Sequence, residues 1–321
     1  MVLHVGAQNW YVTDVHSLEW QAMNFWHGSI VRWAVPVFVM VSGALFLSRD
    51  IPLKKLYTKY IRRIFTAFMF WSFVYACARY AVDKDALKAT GYFLKGRYHL
   101  WFLFMITGLY MIVPFMKKIA ESGQLTKYFL VLAFFFTFLF PEAVSLVSLF
   151  SVKYGEFANG LLKNFHLQFV GGYCGYFLFG HFLNRAQISP KAERLIYVLG
   201  IAGVFAGMFL SVTASLLTGK PNQVFYGNLT VNSMFEAVAV FVFFRQRLNF
   251  PSRLIRTLSQ YSFGAYLVHD AVIKALMMLG LNTLTFSPVI SVPAISLLVF
   301  AISFAVSAVL NHVPVLRRYI V

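Results

Sequence analysis

The 321-residue chain is 60% hydrophobic and 18% aromatic, and only 12% of it is charged. An ordinary soluble domain carries about twice that charged share, so lipid is the solvent the composition suits. The net charge of +17 does not indicate nucleic acid, because the basic residues fall in short clusters between apolar runs, the pattern of a multi-pass membrane protein.

Apolar runs long enough to cross a bilayer, about 17–25 residues, recur along the whole length. The expected spans are about 1–12, 29–48, 61–82, 99–116, 127–150, 165–183, 194–217, 230–245, 258–280 and 289–312. Only helices and closed barrels satisfy backbone polar groups in lipid, and these runs are too long and too uniformly apolar for barrel strands. The fold class is therefore all-α, a multi-pass integral membrane protein of about ten transmembrane helices, the first truncated at its N-terminus. No compact polar stretch marks a soluble domain, so residues 1–321 read as a single transmembrane domain. The opening residues lack the basic region and small-residue cleavage site of a secretory leader.

Lys and Arg set the orientation. Eighteen fall in one set of alternate loops, including Lys54, Lys55, Lys59, Arg62 and Arg63, and seven fall in the other set. The richer side is expected to be cytoplasmic, which places both termini there and His4 in the outer half of the first span. Small residues such as Gly203 and Gly207, or Gly171, Gly172 and Gly175, suit close helix packing. Cys77 and Cys174 sit inside apolar runs and read as small buried hydrophobes.

Ionisable groups at membrane depth are costly and are functional candidates by default. Here they are His4, Arg32, Arg79, Glu236, His269 and Asp270, with His99, His166 and His181 as further members. Each has a plainer reading. Arg32 can snorkel to the headgroups. His99 and Trp101 can belong to an interfacial aromatic belt. His269 can simply bridge helices, and Glu236 can form a buried structural pair. His269 and Asp270 are adjacent, and neighbours on a helix do not face one another. The basic run LKKLYTKYIRRI, residues 53–64, serves as topology signal and anionic-lipid contact, or as a site for a phosphorylated cosubstrate.

The ordered segments VRWAVPVFVMVSGALFL, RRIFTAFMFW, YHLWFLFMITGLYMIVPFM, GYFLFGHFL and YSFGAYLVHDAVI resemble the acyltransferase 3 family of membrane O-acyltransferases. The segments WYVTDVHS and YHLWF resemble members that acetylate enterobacterial common antigen. The resemblance implies a bacterial inner-membrane enzyme. Its acyl donor is cytoplasmic acetyl-CoA, with no permanently bound cofactor, and its acceptor is a hydroxyl of an envelope or secreted glycan or lipid-linked saccharide. His4 matches the family's first-helix histidine, Arg32 the arginine before the VPxFxMxSG segment, and His269 the histidine of the S-G-x-Y-L-x-H segment. The family's two arginines three apart have no clear counterpart in Lys59-Tyr60-Ile61-Arg62-Arg63. The resemblance also implies about ten further residues and an arginine ahead of His4. The expectation is that Met1 is an internal methionine taken for the start, or that the chain is a genuine truncation.

Acyl transfer from a thioester to an alcohol needs a base at the attacking hydroxyl and donors for the oxyanion. His4, Arg32 and His269 are the catalytic candidates. Lys59, Arg62 and Arg63 are candidates for the coenzyme A phosphates, and Tyr98, His99, Trp101 and Glu236 for the acceptor. No metal-ligand spacing and no serine or cysteine nucleophile motif stands out, which leaves direct transfer and a transient acyl-histidine both open. A rival from another class is a transporter or flippase of lipid-linked sugars, which ten helices and buried charges fit equally well. Pro36, Pro114 and Pro293 do not form the matched pair of broken helices that such proteins often carry.

Overall fold

In a computed structural model, which describes residues 1–167 and 172–320, the chain is a bundle of helices, with no strand among the described residues. A short helix α1 (Val2–Gly6) precedes the first long one, α2 (Leu18–Leu47). There follow α3 (Leu53–Asp83), α4 (Ala86–Lys95), α5 (Trp101–Met111), α6 (Val113–Glu121) and α7 (Gly123–Phe150). The bundle is completed by α8 (Val152–Asn164), α9 (Cys174–Arg185), α10 (Pro190–Thr218), α11 (Val231–Arg247), α12 (Arg253–Met278), α13 (Pro288–His312) and α14 (Pro314–Tyr319).

Among the described residues six helices (α2, α3, α7, α10, the 224–247 segment ending in α11, and α13) are long and apolar enough to cross a membrane. A seventh is added if the pair bent by 56° at Ile112 counts as one span. Pro114, in the first turn of α6, lacks the N–H that would carry the preceding helix through the break. The difference from ten spans has physical causes. The helix of the expected first span is five residues long, because residues 7–17 leave it for a loop. The expected 165–183 span crosses residues 168–171, which lie outside the described set, as does Gly171. Helix α12 is 26 residues long, yet Arg253, Arg256, Asp270 and Lys274 make it too polar to qualify. The second span begins at Leu18 instead of residue 29, because a π-helical turn, Phe25–Ser29, carries the helix through the polar stretch that reads as a loop.

Close backbone approach holds the centre. A Cβ on Gly43 of α2 would lie 1.7 Å from the Phe177 carbonyl oxygen of α9, and one on Gly180 2.0 Å from the Met40 carbonyl oxygen. Only glycines allow these two backbones to touch, the membrane-interface device of small residues. Gly203 and Gly207 do the same between α10 and α11, where their Cβ atoms would lie 2.7 and 2.5 Å from atoms of Asn232. The main core surrounds this α2–α9 crossing with Val39, Met40, Tyr176, Phe177 and Leu178.

Candidate active site

Helix α1 is too short to hold itself together; its neighbours fix it. Val5 packs into a cluster with Ile273, Val292 and Ile295. Gly6 lies against the His27 backbone, where a Cβ would come within 3.1 Å of the His27 Cβ. The loop that follows is pinned near its start by two adjacent residues. Asn9 Nδ2 donates to Thr283 Oγ1 at 2.7 Å and to Asn282 Oδ1 at 3.1 Å. Trp10 is wholly buried and donates its indole N–H to Asn24 Oδ1 at 3.1 Å.

This placement brings His4 to His269 of α12, with ring centroids 5.0 Å apart, and to Tyr98 at 5.3 Å. His269 in turn lies 4.9 Å from His99, so three imidazoles form one group. His99 is 1% exposed and packs edge-on to Tyr75 at 5.4 Å; burial excludes the interfacial-belt reading for it. His269 Nδ1 faces the Tyr266 carbonyl oxygen at 2.5 Å. A carbonyl only accepts, so Nδ1 carries the proton and the Nε2 lone pair is left over; that nitrogen is buried with no partner. Asp270 faces away from His269, as adjacency requires, and accepts from Arg97 Nε at 2.7 Å. This ion pair is deep, with side chains 15% and 2% exposed.

Arg32 joins the site through His27, which sequence reading passed over. His27 Nδ1 donates to the Leu3 carbonyl oxygen at 2.9 Å, one residue before His4. Its tautomer is thereby set, and Nε2 accepts from Arg32 Nη2 at 3.3 Å. The guanidinium also lies flat on Tyr226, 3.9 Å from the ring centroid, a cation–π contact removed from water. The π-helical turn makes the His27–Arg32 contact possible, since five residues separate the two and a regular α-helix aligns residues three or four apart. Four of the chain's eight histidines thus converge with one arginine around a five-residue helix.

The remaining candidates are placed as follows. Tyr98 belongs to the imidazole group. Glu236 of α11 is 2% exposed, and neither carboxylate oxygen is satisfied. It is within electrostatic reach of Arg32 but closes no ion pair among the described residues. Trp101 is 39% exposed and packs instead against Tyr173, 5.8 Å between centroids. Lys59, Arg62 and Arg63 are exposed at the start of α3. Twelve residues separate Arg63 from Tyr75, about 18 Å along a helix, so the basic run lies a long way along α3 from the turn that packs on His99. Of the other ionisable candidates, Arg79 pairs with Asp83 in the last turn of α3. His166 is exposed, and His181 meets Ser48 Oγ at 3.3 Å.

A family model described as an acyltransferase domain, Acyl_transf_3, matches residues 1–312. The chain belongs to the acyltransferase 3 family. No curated protein and no solved structure matches it. As a member of the acyltransferase 3 family it is a multi-pass membrane acyltransferase. The buried His and Arg cluster is the constellation in it suited to that chemistry: basic lone pairs beside a fixed guanidinium. The signal that would have revealed His27 and Tyr226 is the continuity of α2 back to Leu18, which puts His27 inside the helix with Arg32 instead of in a preceding loop.

Proposed function

We propose that the protein is an O-acetyltransferase of the bacterial inner membrane, with both termini cytoplasmic, moving an acetyl group from cytoplasmic acetyl-CoA to a hydroxyl of an envelope or secreted glycan. The observation that carries this reading is the convergence of His4, His269 and His99 beside the His27–Arg32 pair in a chain of this family. Acetyl-CoA supplies the activated thioester.

His4 is the general base. It is partly accessible, whereas His27 Nε2 is occupied by Arg32 and His99 is sealed in. His4 takes the proton of the acceptor hydroxyl as that oxygen bonds to the acetyl carbon. Arg32, held by His27 and Tyr226, donates to the oxyanion that develops. The carbon–sulfur bond then breaks, and the leaving thiolate takes the proton that His4 removed from the hydroxyl, which returns His4 to its neutral form. His269 presents its Nε2 lone pair toward the same space and positions the acceptor or relays the proton. Imidazole suits these roles because its charge changes near neutral pH.

At the other end, Lys59, Arg62 and Arg63 bind the phosphates of coenzyme A. The stretch 51–82 contains no Asp or Glu, so no carboxylate on that stretch competes for these cations. Tyr98 contacts the acceptor at the inner end of its path and Trp101 at the outer end, while the buried His99 backs His269 and the buried Glu236 lies within electrostatic reach of Arg32.

The test is transfer of labelled acetyl from acetyl-CoA to envelope glycan by membrane vesicles carrying the wild-type chain or His4→Ala. A general base contributes about 10²–10⁴-fold, and a fall of that size is expected. Equal glycan labelling in the two would remove His4 from catalysis. Absence of labelling by the wild type across envelope glycans would overturn the activity itself.

A further inference from the structure

Beyond Tyr226 the chain turns away from the arginine and lines a different space. Gly227, Asn228 and Thr230, with Glu142, Ser145 and Tyr173, line an open cleft of about 290 Å³. A second cavity of about 370 Å³ shares Pro141 and Ser145 with the first and runs along the α7–α8 hairpin past Ser148, Glu156 and Asn159. The two volumes lie near the lower end of those of small-molecule clefts, about 300–1,000 Å³. The hairpin is closed by Gly155, whose Cβ would lie 2.0 Å from Ser148 Oγ.

The lining is built. Glu142 is 9% exposed and accepts the Val231 backbone N–H at 2.7 Å, which fixes the carboxylate at the N-terminus of α11. Asn228 Nδ2 donates to the Tyr173 hydroxyl at 3.1 Å, which fixes the aromatic ring that also faces Trp101. Hydroxyls, amides, two carboxylates and one aromatic face therefore share the groove with the apolar side chains of Pro141, Val144, Leu162, Val224 and Leu229.

What the groove lacks is equally informative. The chain carries 28 Lys and Arg, yet among the described residues none lines either cavity, although Lys153 and Lys163 sit on the same helix as Glu156 and Asn159. An anionic ligand would meet two carboxylates with no cation to offset them. An acyl chain would strand the polar groups without partners, at the cost of their desolvation. A polyol satisfies them: its hydroxyls donate to the carboxylates and exchange hydrogen bonds with Ser, Thr and Asn, and its ring face rests on tyrosine.

We propose that this groove is a saccharide subsite taking an uncharged, hydroxyl-rich sugar of the acceptor. Calling the sugar the acceptor rests on the acetyltransferase reading above; saccharide binding in the groove does not. The loop 224–230 links the two, because it presents Tyr226 to Arg32 on one side and Gly227 and Asn228 to the groove on the other. A sugar seated there lies directly behind the wall of the imidazole and arginine site.

The test uses the full chain in lipid nanodiscs. Saturation-transfer NMR measures binding of uncharged trisaccharides of glucose, galactose, mannose and N-acetylglucosamine, beside a galacturonate trisaccharide. Wild type is expected to bind at least one uncharged trisaccharide and to bind the galacturonate at least tenfold more weakly. Ser145→Trp, which fills the wall common to both cavities, and the solvent-side double variant Glu156→Gln/Asn159→Ala each weaken the uncharged ligand at least tenfold. The double variant guards against misfolding of the first. Unchanged binding in a folded Ser145→Trp, preference for the galacturonate, or no uncharged trisaccharide bound overturns the subsite. Binding as expected with no acetyl transfer by wild type would instead overturn only the acetyltransferase reading.

Discussion

Replacing Tyr226 with leucine removes the face on which Arg32 rests while keeping an apolar side chain in place. The guanidinium carbon lies 3.9 Å from the ring centroid, and the two residues are 6% and 5% exposed. The contact therefore belongs to the desolvated class of cation–π pairs, worth about 2 kcal/mol. Without it Arg32 keeps the single bond to His27 Nε2 and can swing about it. If the arginine acts on the developing oxyanion, a loss of about 2 kcal/mol appears as roughly a thirtyfold fall in kcat, with little change in the KM for the donor. Tyr226→Phe keeps the ring and is expected within about threefold of wild type, less than 1 kcal/mol. The assay is acetyl incorporation into glycan by vesicles at saturating donor and acceptor, normalised to the amount of folded protein. An equal loss in both variants would refute the reasoning, because the hydroxyl and not the ring would then carry the effect. Full activity in Tyr226→Leu would take Arg32 out of the transition state.

Three further outcomes follow from contacts elsewhere. Arg97→Met leaves Asp270 charged and 2% exposed with its partner gone; removing one member of a buried pair costs about 3–5 kcal/mol. A lowered thermal midpoint in detergent, largely restored by Asp270→Leu in the same chain, is the expected result, and additive losses would deny the coupling. Gly43→Ala puts a Cβ 1.7 Å from a backbone oxygen where ordinary contact begins at 3.4 Å, so α2 and α9 must part; overpacking costs about 1–3 kcal/mol. Gly108→Ala meets open space and serves as the neutral control, and equal stability of the two would contradict the crossing. Outside the spans, the Lys117 ammonium donates to Asp50 and holds its carboxyl below the usual range. A carboxyl lowered on folding contributes stability above the unfolded value, about 3.9, and loses it as pH falls through the folded one. Hydrogen exchange at residues 48–52, corrected for intrinsic rates, is therefore expected to be flat from about pH 5 to 8 and to rise below about 4; a rise near neutrality would mean that another group holds the loop.

The helical class and most helix positions were legible because hydropathy responds to the bilayer itself: the run 194–217 became Pro190–Thr218, and 289–312 became Pro288–His312. The start of α2 was not legible. Residues 18–29 are polar enough to read as a loop, and a π-helical turn follows no apolar period, so His27 was assigned outside the membrane. Helix α12 covers the expected run 258–280 but begins earlier, at Arg253; it looks polar in isolation because Asp270 is paired with Arg97 of another segment and His269 bonds the Tyr266 carbonyl of its own helix. His99 was misjudged for the opposite reason, since its flanking aromatics match an interfacial belt and only packing reveals that it is sealed.

The reason His27 matters is not proximity alone. A neutral imidazole in the other tautomer would point an N–H at the Arg32 guanidinium. The Leu3 carbonyl oxygen prevents this by claiming the Nδ1 proton and leaving Nε2 as an acceptor. The same carbonyl belongs to the turn that carries His4, and that turn has little stability of its own. One hydrogen bond therefore ties the orientation of Arg32 to the position of His4. Gly6 closes the arrangement, because its missing Cβ lets α1 come down onto the His27 backbone. A shift of α1 by even one side-chain contact would move His4 off His269 and release Arg32 together. The two halves of the site are thus a single mechanical unit whose hinge is α1, and damage to either half should appear in the transfer step as damage to both.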